Sequence, residues 1–465
     1  MKITNFFNPK PPIPLILLLI TFNFSFSHSI FSPIDNYLLD CGSSTNSLID
    51  NRNFIGDSSK SGSNLLSSPS ISFNCETPSQ NLSPLYHNAR IFKKKSKYVF
   101  GIKKQGTHVV RLHFSAFNSS KYEMKHALFH VEVNGYLVLS YFNGKDSILK
   151  EYMIWVDNGK NLEIVFTPVN ECNFGFVSAI EVFDAPEDLI VDTAKLIKSE
   201  GNETIAGITH HALETVYRLN VGGPKVTPFN DTLWRTWIPD DEMLNSSDGA
   251  KAIHFGGRIK YQTGGLSREV GPDNVYNSAR VLEDPNVPNP VLTWKLPVHV
   301  GYKYLVRLHF CDIASKALYE LYFNVYINGN LAYENLDLSM ITGMLASPYY
   351  ADFVVEADTL DAITVSIYPS TQTGSAKNNV VLNGIEVMKM NNAIGSLDGR
   401  ISAVSLTNSR VSTGALVPAI ALACFLMAAF AVVYKRRITL QDSVGWSPLP
   451  VDASEGNLKH NNQRF

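Results

Sequence analysis

Residues 304–313 read YLVRLHFCDI, and residues 108–117 read HVVRLHFSAF. In the earlier copy Val110, Leu112 and Phe114 alternate with Arg111 and His113. In the later one Val306, Leu308 and Phe310 alternate with Arg307 and His309. Alternation with one apolar face predicts a strand packed on one side. The polar face repeats along with the apolar one, which goes beyond chance alternation.

The match extends outward in one order. YHNARIF at Tyr86 corresponds to YNSARVL at Tyr276, and FHVEVNG at Phe129 to FNVYING at Phe323. Both of the latter end in Asn-Gly, the pair suited to a type I′ hairpin turn because both positions need positive φ. LEIVFTP at Leu162 then matches ITVSIYP at Ile363, and AIEVF at Ala179 matches GIEVM at Gly384. Five blocks in one order imply two copies of one domain, too long and too few for a solenoid. Short alternating strands and Gly/Ser loops, with little period 3.6, predict an all-β sandwich in each copy. The copies are placed at 31–186 and 212–392, joined by a linker at 187–211 that keeps Leu189, Val191, Leu196 and Ile197 and is expected to form a strand or two.

The chain has 465 residues, 45% of them hydrophobic, and a formal charge of −2. This suits sizeable cores and gives no sign of nucleic-acid binding. Residues 13–26, IPLILLLITFNFSF, follow Lys2 and Lys10 and precede small residues, so 1–27 reads as a secretory signal. Residues 415–434 carry no charge and are followed by Lys435, Arg436 and Arg437. That pattern predicts a transmembrane helix with its basic end in the cytoplasm, preceded by a stalk at 393–413 and followed by a short tail at 435–465. The expected location is the plasma membrane, single-pass, with the bulk of the chain outside.

Behind a signal peptide, Asn81, Asn118, Asn202, Asn230 and Asn245 become candidate glycosylation sites. Cys41, Cys75, Cys172 and Cys311 are candidate disulfide cysteines, with buried free thiols as the alternative; Cys424 falls in the apolar span. No CxxC spacing occurs, and no cofactor or metal is expected. His210-His211 reads as a linker pair, since neighbours on a strand face opposite ways. Asp240, Asp241 and Glu242 read as a solvated acidic turn. No HExxH, GxSxG or P-loop string occurs, so no catalytic residues are assigned.

The strings YRLNVGGPKVTPFNDTLWRTWIPDDEML from Tyr217, VYNSAR from Val275, SPYYADFVV from Ser347 and LNGIEVMKMNN from Leu382 resemble plant malectin-like receptor kinases of the FERONIA/THESEUS type. LLDCGSS at Leu38 and NRNFIGD at Asn51 are similar to the opening of their first domain. The resemblance covers nearly the whole mature chain. It implies two tandem malectin-like (lectin-type) β-sandwich domains on a single-pass receptor that senses cell wall, growth or fertilisation. Its implied partners are wall pectin, secreted cysteine-rich peptides, and a lipid-anchored co-receptor or partner receptor kinase. Such receptors continue into a serine/threonine kinase. Here about thirty residues follow the apolar span, below domain size, without Gly-rich loop, VAIK-like lysine, HRD or DFG string. The expectation is a receptor-like protein without its own kinase; the alternative is a truncated receptor kinase.

Tyr86 and Tyr276 match one aromatic position of the animal malectin sugar site; core packing with a bonded hydroxyl is the alternative. The aromatic pair expected after the LHF strand is missing, since Asp312-Ile313 and Phe117-Asn118 stand there, and no equivalent of the malectin aspartate is found. Lys93, Lys94, Lys95 and Lys97, with Lys103 and Lys104 close behind, form a basic cluster found only in the first copy, a candidate pectin site. Arg111, His113, Arg307 and His309 form polar stripes that either meet polyanions or pair with cross-strand acids such as Glu132. Trp234, Trp237, Tyr349 and Tyr350 are candidate partner contacts, or core.

Overall fold

The computed structural model describes residues 31–117, 122–145, 147–246, 249–282, 290–357, 361–370, 380–399, 401–408 and 413–441. The signal segment, Asn118 and the end of the tail fall outside these. Residues up to Ala403 form one compact unit, and Val404–Phe465 belong to another.

One sheet runs through both repeats. Its strands in spatial order are Glu203–Ala206, Thr193–Leu196, Pro348–Ala357, Tyr302–Cys311, Gly384–Met390 and Leu213–Asn220, then Ile148–Val156, Gly106–Phe114, Ala179–Asp184, Asn36–Asp40, Arg52–Gly56 and Ser47–Ile49. The repeats meet where Tyr152 pairs with Glu214 and Met153 with Leu213. A four-stranded sheet faces the first half and a five-stranded sheet the second.

Between the layers lie two apolar cores. Val110, Leu112 and Phe114 point into the first, beside Val131 and Ile164 of the facing sheet. Val306, Leu308 and Phe310 point into the second, beside Val325 and Val365. The Asn-Gly turns form as the residue pair requires: φ is 46° and 84° at Asn134 and Gly135, and 52° and 78° at Asn328 and Gly329.

The repeat reaches into loops that the sequence blocks do not mark. Gly42 and Gly222 both have positive φ, and a Cβ at either would fall on a carbonyl oxygen, that of Ala89 or Ala279. Each glycine N–H donates to a buried aspartate, Asp57 at 2.7 Å and Asp240 at 2.9 Å. Each aspartate also takes bonds from an arginine and an aromatic: Arg90 and Tyr98 in one copy, Arg280 and Trp294 in the other. Asp240 is therefore not part of a solvated turn. It is 1% exposed, turned inward because it satisfies three donors that burial would otherwise strand.

The linker forms a hairpin, Thr193–Leu196 with Glu203–Ala206, added to the edge of the second repeat. Of the linker's apolar residues, Ile197 is buried in the core of the second repeat and Leu189 and Leu196 in a separate cluster with Leu305 and Val354.

None of the candidate disulfide cysteines is paired. Cys41 is buried in the core of the first repeat and Cys311 in a small cluster with Ile259 and Tyr276 in the second, and Cys172 is exposed. Burial pushes the thiols of Cys41 and Cys311 well up, so both are held as neutral packing groups.

A helix runs over Thr413–Gln441. Counted over the described residues alone, no helix is long and apolar enough to cross a membrane.

Candidate functional site

The polar faces of the duplicated strand are buried: Arg111 is 2% exposed and Arg307 0%. The one-sided packing expected from alternation is thus corrected, because a charged second layer covers the other face. Arg111 lies directly across from Glu151 on one neighbouring strand and Glu181 on the other, and bonds both, at 2.7 and 3.1 Å. Arg218 bridges Glu151 at 2.7 Å and Glu386 at 2.8 Å. Arg307 lies across from Glu386 and Asp352 and bonds Asp352 through two nitrogens. Acid and base thus alternate across the sheet from Glu181 to Asp352, through the junction of the repeats. Glu132, the acid expected opposite these arginines, lies elsewhere, 3.9 Å from Lys95.

Burial alone would raise the Glu151 carboxyl, but Arg218 and Arg111 hold it down to about 2. Glu181 and Glu386, also opposed by burial, are held well below the carboxylate range by Arg111 and Arg218 respectively. Every charge in the row has an opposite neighbour, the condition under which buried ions are tolerated.

Both arginines also leave their own repeat. Arg111 Nη2 donates to the Leu233 carbonyl at 2.8 Å, and Arg307 Nη1 to the Leu189 carbonyl at 2.6 Å. Trp234, at φ 55°, packs beneath the Arg52 guanidinium, 4.1 Å from ring centre, and edge-on to Phe183. Trp237 is fully buried. Trp237 is an interior contact, whereas Trp234 is half-buried.

The matched tyrosines serve the same layer. The Tyr86 hydroxyl is 3.3 Å from His113 Nδ1 and the Tyr276 hydroxyl 2.8 Å from His309 Nδ1. The far nitrogens meet Glu181 at 2.8 Å and Glu386 at 3.1 Å. Tyr276 has no exposed surface, so the sugar-facing role expected of it gives way to packing. Burial lowers the His309 pKa against the pull of Glu386, which keeps the imidazole neutral.

Lys95 and Lys97 of the lysine cluster line a groove of about 1010 Å³ that also takes in Tyr136, Trp155, Lys160 and His210. Lys93, Lys94 and Lys95 are exposed. Lys97 is paired with Glu163 at 2.8 Å, and Lys93 sits over the Tyr122 ring. Glu132 lines the groove with one oxygen facing the Lys95 ammonium. Acids and bases are thus mixed along it. His210 contacts the Trp155 ring and His211 bonds Asn391. Among the described residues no group of three or more His, Cys, Asp or Glu could hold a metal.

A second depression, about 650 Å³, lies between the linker hairpin and the strand Pro348–Ala357. Tyr333, Tyr349 and Tyr350 line it with Asp188, Lys195 and Gln262. Tyr350 stacks against Arg307, 4.0 Å from ring centre, and its hydroxyl donates to the Asp188 carbonyl. Lys195 lies 4.3 Å over the Tyr333 ring. Burial raises the hydroxyls of Tyr349 and Tyr350 to about 12, so both stay protonated donors. Tyr349 and Tyr350 were legible as candidate contacts; Tyr333, Lys195 and Gln262 were not, being brought in by pairing between distant segments.

A malectin-like domain model matches residues 39–390. The receptor-like protein kinase THESEUS 1 of Arabidopsis thaliana is 38% identical over 387 residues, covering 81% of this chain and 44% of that protein. The receptor-like protein kinase HERK 1 of the same plant is 35% identical over 444 residues, covering 93% and 52%. The chain spans about half the length of the curated relatives it matches. The crystal structure of the ANX1 ectodomain from Arabidopsis thaliana superposes with a TM-score of 0.71 at 28% identity, covering 79% of this chain and 98% of that one. A structure of the peptide RALF23 in complex with FER and LLG2 contains a chain that superposes with a TM-score of 0.67 at 30% identity, covering 80% and 99%. The chain belongs to the malectin-like domain family, is homologous to the FERONIA/THESEUS-type receptor-like kinases of Arabidopsis, and shares the all-β fold of their ectodomains.

Proposed function

We propose that this protein is a single-pass cell-surface receptor-like glycoprotein whose tandem malectin-like domains bind an extracellular ligand, a secreted peptide or a wall polysaccharide. One observation carries the reading: the likeness spans nearly the full length of ectodomain structures, among them FER crystallised with a peptide and LLG2. The twenty-nine-residue helix Thr413–Gln441 would measure about 43 Å at 1.5 Å per residue. It contains the uncharged stretch 415–434 and then Lys435, Arg436 and Arg437, which supports a membrane anchor with a cytoplasmic tail. Asn81, Asn202, Asn230 and Asn245 are exposed, as glycan carriers need to be.

The tyrosine-lined cleft is the favoured ligand site, because it combines the aromatic surface of Tyr333, Tyr349 and Tyr350 with polar groups of Asp188, Lys195 and Gln262. A second ligand class is supported by the groove lined by Lys95, Lys97 and Lys160, which stand there with Trp155 and Tyr136, next to exposed Lys93 and Lys94 in the chain, a combination suited to an acidic wall polysaccharide such as pectin. A lipid-anchored co-receptor fits the same reading. Ligand would change output by favouring one assembly over another, with the kinase supplied by a partner or by a longer form of this protein.

The test is binding of the full chain in detergent to secreted cysteine-rich peptides and to oligogalacturonate. Tyr333→Ala with Tyr349→Ala should weaken the first, and Lys93→Glu with Lys94→Glu and Lys95→Glu the second. Binding of neither class rejects the reading.

A further inference from the structure

The linker strand Thr193–Leu196 meets Pro348–Ala357 in parallel at two positions only, Lys195 beside Phe353 and Leu196 beside Val354. Just beyond, the Ile197 N–H donates to the Val354 carbonyl at 2.9 Å. Toward Pro348 the two strands part. The cleft opens in that gap, with Thr193, Ala194 and Lys195 on one wall and Pro348 to Phe353 on the other. On its far side Pro348–Ala357 is paired over its whole length with Tyr302–Cys311.

Peptide groups along a strand point alternately to its two edges. Val354 turns its carbonyl toward the linker, so Tyr350 and Asp352, at even spacing from it, turn their main-chain groups the same way. The far side agrees. Tyr350 lies opposite His309, whose carbonyl is taken by Asn383 on the other flank, so Tyr350 is not the bonded member of that ladder. The N–H and C=O of Tyr350 and the N–H of Asp352 therefore open into the cleft, while the Asp352 carbonyl is taken by the Lys195 N–H in the parallel pairing. This is a strand edge inside a continuous sheet, exposed by the divergence of its neighbour.

We propose that this break takes up an extended peptide segment of another polypeptide as an added strand. The inference rests on the cleft being a ligand site, and names the ligand class and binding mode. A peptide backbone supplies donors and acceptors alternating at strand spacing, which matches the Tyr350 N–H and C=O and the Asp352 N–H. The free edge from Pro348 to Asp352 is about 17 Å long at 3.3 Å per residue. Tyr349 and Tyr350 project to opposite faces, so the incoming strand meets an aromatic ring on each side. Lys195 and Asp188 flank it with one charge of each sign.

The experiment pans short unconstrained phage-displayed peptides against the full chain on cells, then re-measures the selected peptides with single N-methyl groups walked along their backbones. Strand addition is expected to give losses of about tenfold, one hydrogen bond's worth, at every second residue and little between them. Tyr350→Pro removes an N–H that faces the cleft without taking a bond from the Tyr302–Cys311 ladder. It should bind about tenfold more weakly than Tyr350→Ala, which loses only the ring. Selected peptides that tolerate N-methylation throughout, or equal binding by the two variants, overturn strand addition while leaving the cleft a ligand site. Recovery of no peptide that Tyr349→Ala weakens overturns both.

Discussion

Arg111 donates to the carbonyl of Leu233 across 122 positions of sequence, at 2.8 Å. Its counterpart Arg307 does the same to Leu189 at 2.6 Å. The duplicated arginine is thus a docking group that ties each repeat to chain outside it. This accounts for why the polar half of the strand is repeated as faithfully as the apolar half.

Arg111→Met should destabilise the fold by about 3–5 kcal/mol, the usual cost of stranding a buried charge, since Glu151 and Glu181 would lose their shared cation. Lys97→Met, which removes a half-exposed pair with Glu163, should change stability by at most about 1 kcal/mol. Urea unfolding of the two variants compares them directly.

Acid should weaken the fold through the same row. The Glu151 carboxyl is depressed from 4.5 to about 2 in the folded chain, so below the unfolded value the unfolded chain binds more protons. Its contribution is complete above pH 4.5 and is lost as pH falls toward about 2. Melting temperature measured between neutral pH and this window should fall steeply only inside it, and Glu151→Gln should flatten the fall.

Buried His309 adds a milder slope higher up. Its pKa lies below the ordinary 6.5 because burial disfavours the imidazolium. Stability is complete above that value and declines as pH drops below it, because the unfolded chain takes the proton first. Ring-proton NMR of His309 should show it neutral in the folded chain at a pH where the denatured chain is already charged.

Gly42→Ala and Gly222→Ala should be equally severe, costing several kcal/mol or abolishing folding, since each adds a Cβ onto a carbonyl oxygen at positive φ. Gly159→Ala, also at positive φ but with open space around it, isolates the backbone strain alone and should cost about 1 kcal/mol. Thermal melts of the three rank these outcomes.

Thiol labelling should follow burial. Cys172 is exposed and should react with maleimide at once; Cys75 should be slower, and Cys41 and Cys311 should react only on unfolding. Intact mass after native and denatured labelling reads the order, and absence of labelling after denaturation would mean the thiols are paired.

The architecture was legible where its signal is local. The Asn-Gly turns and the alternation of Val110, Leu112 and Phe114 each rest on a few adjacent residues. The charge row was not, because it depends on register: Glu181 and Glu386 meet their arginines only through the pairing of strands far apart in sequence. An irregularity between Thr215 and Tyr217 shifts that register in a way composition does not reveal. Asp240 was misread because three consecutive acids look alike in sequence; Arg280 pairs with Asp241 as well, and only the Gly222 and Trp294 donors set Asp240 apart. The cleft was half visible, through Tyr349 and Tyr350, because the linker hairpin that forms its other wall carries no comparable motif.

The unbroken sheet makes the duplication inseparable. A fragment ending at the linker would keep Glu151 but lose Arg218, and one beginning after it would keep Arg307 but lose the carbonyl of Leu189. Neither half is a portable module, and chimaeras exchanging one repeat with a relative's should fail unless the acids and bases of the seam are exchanged with it.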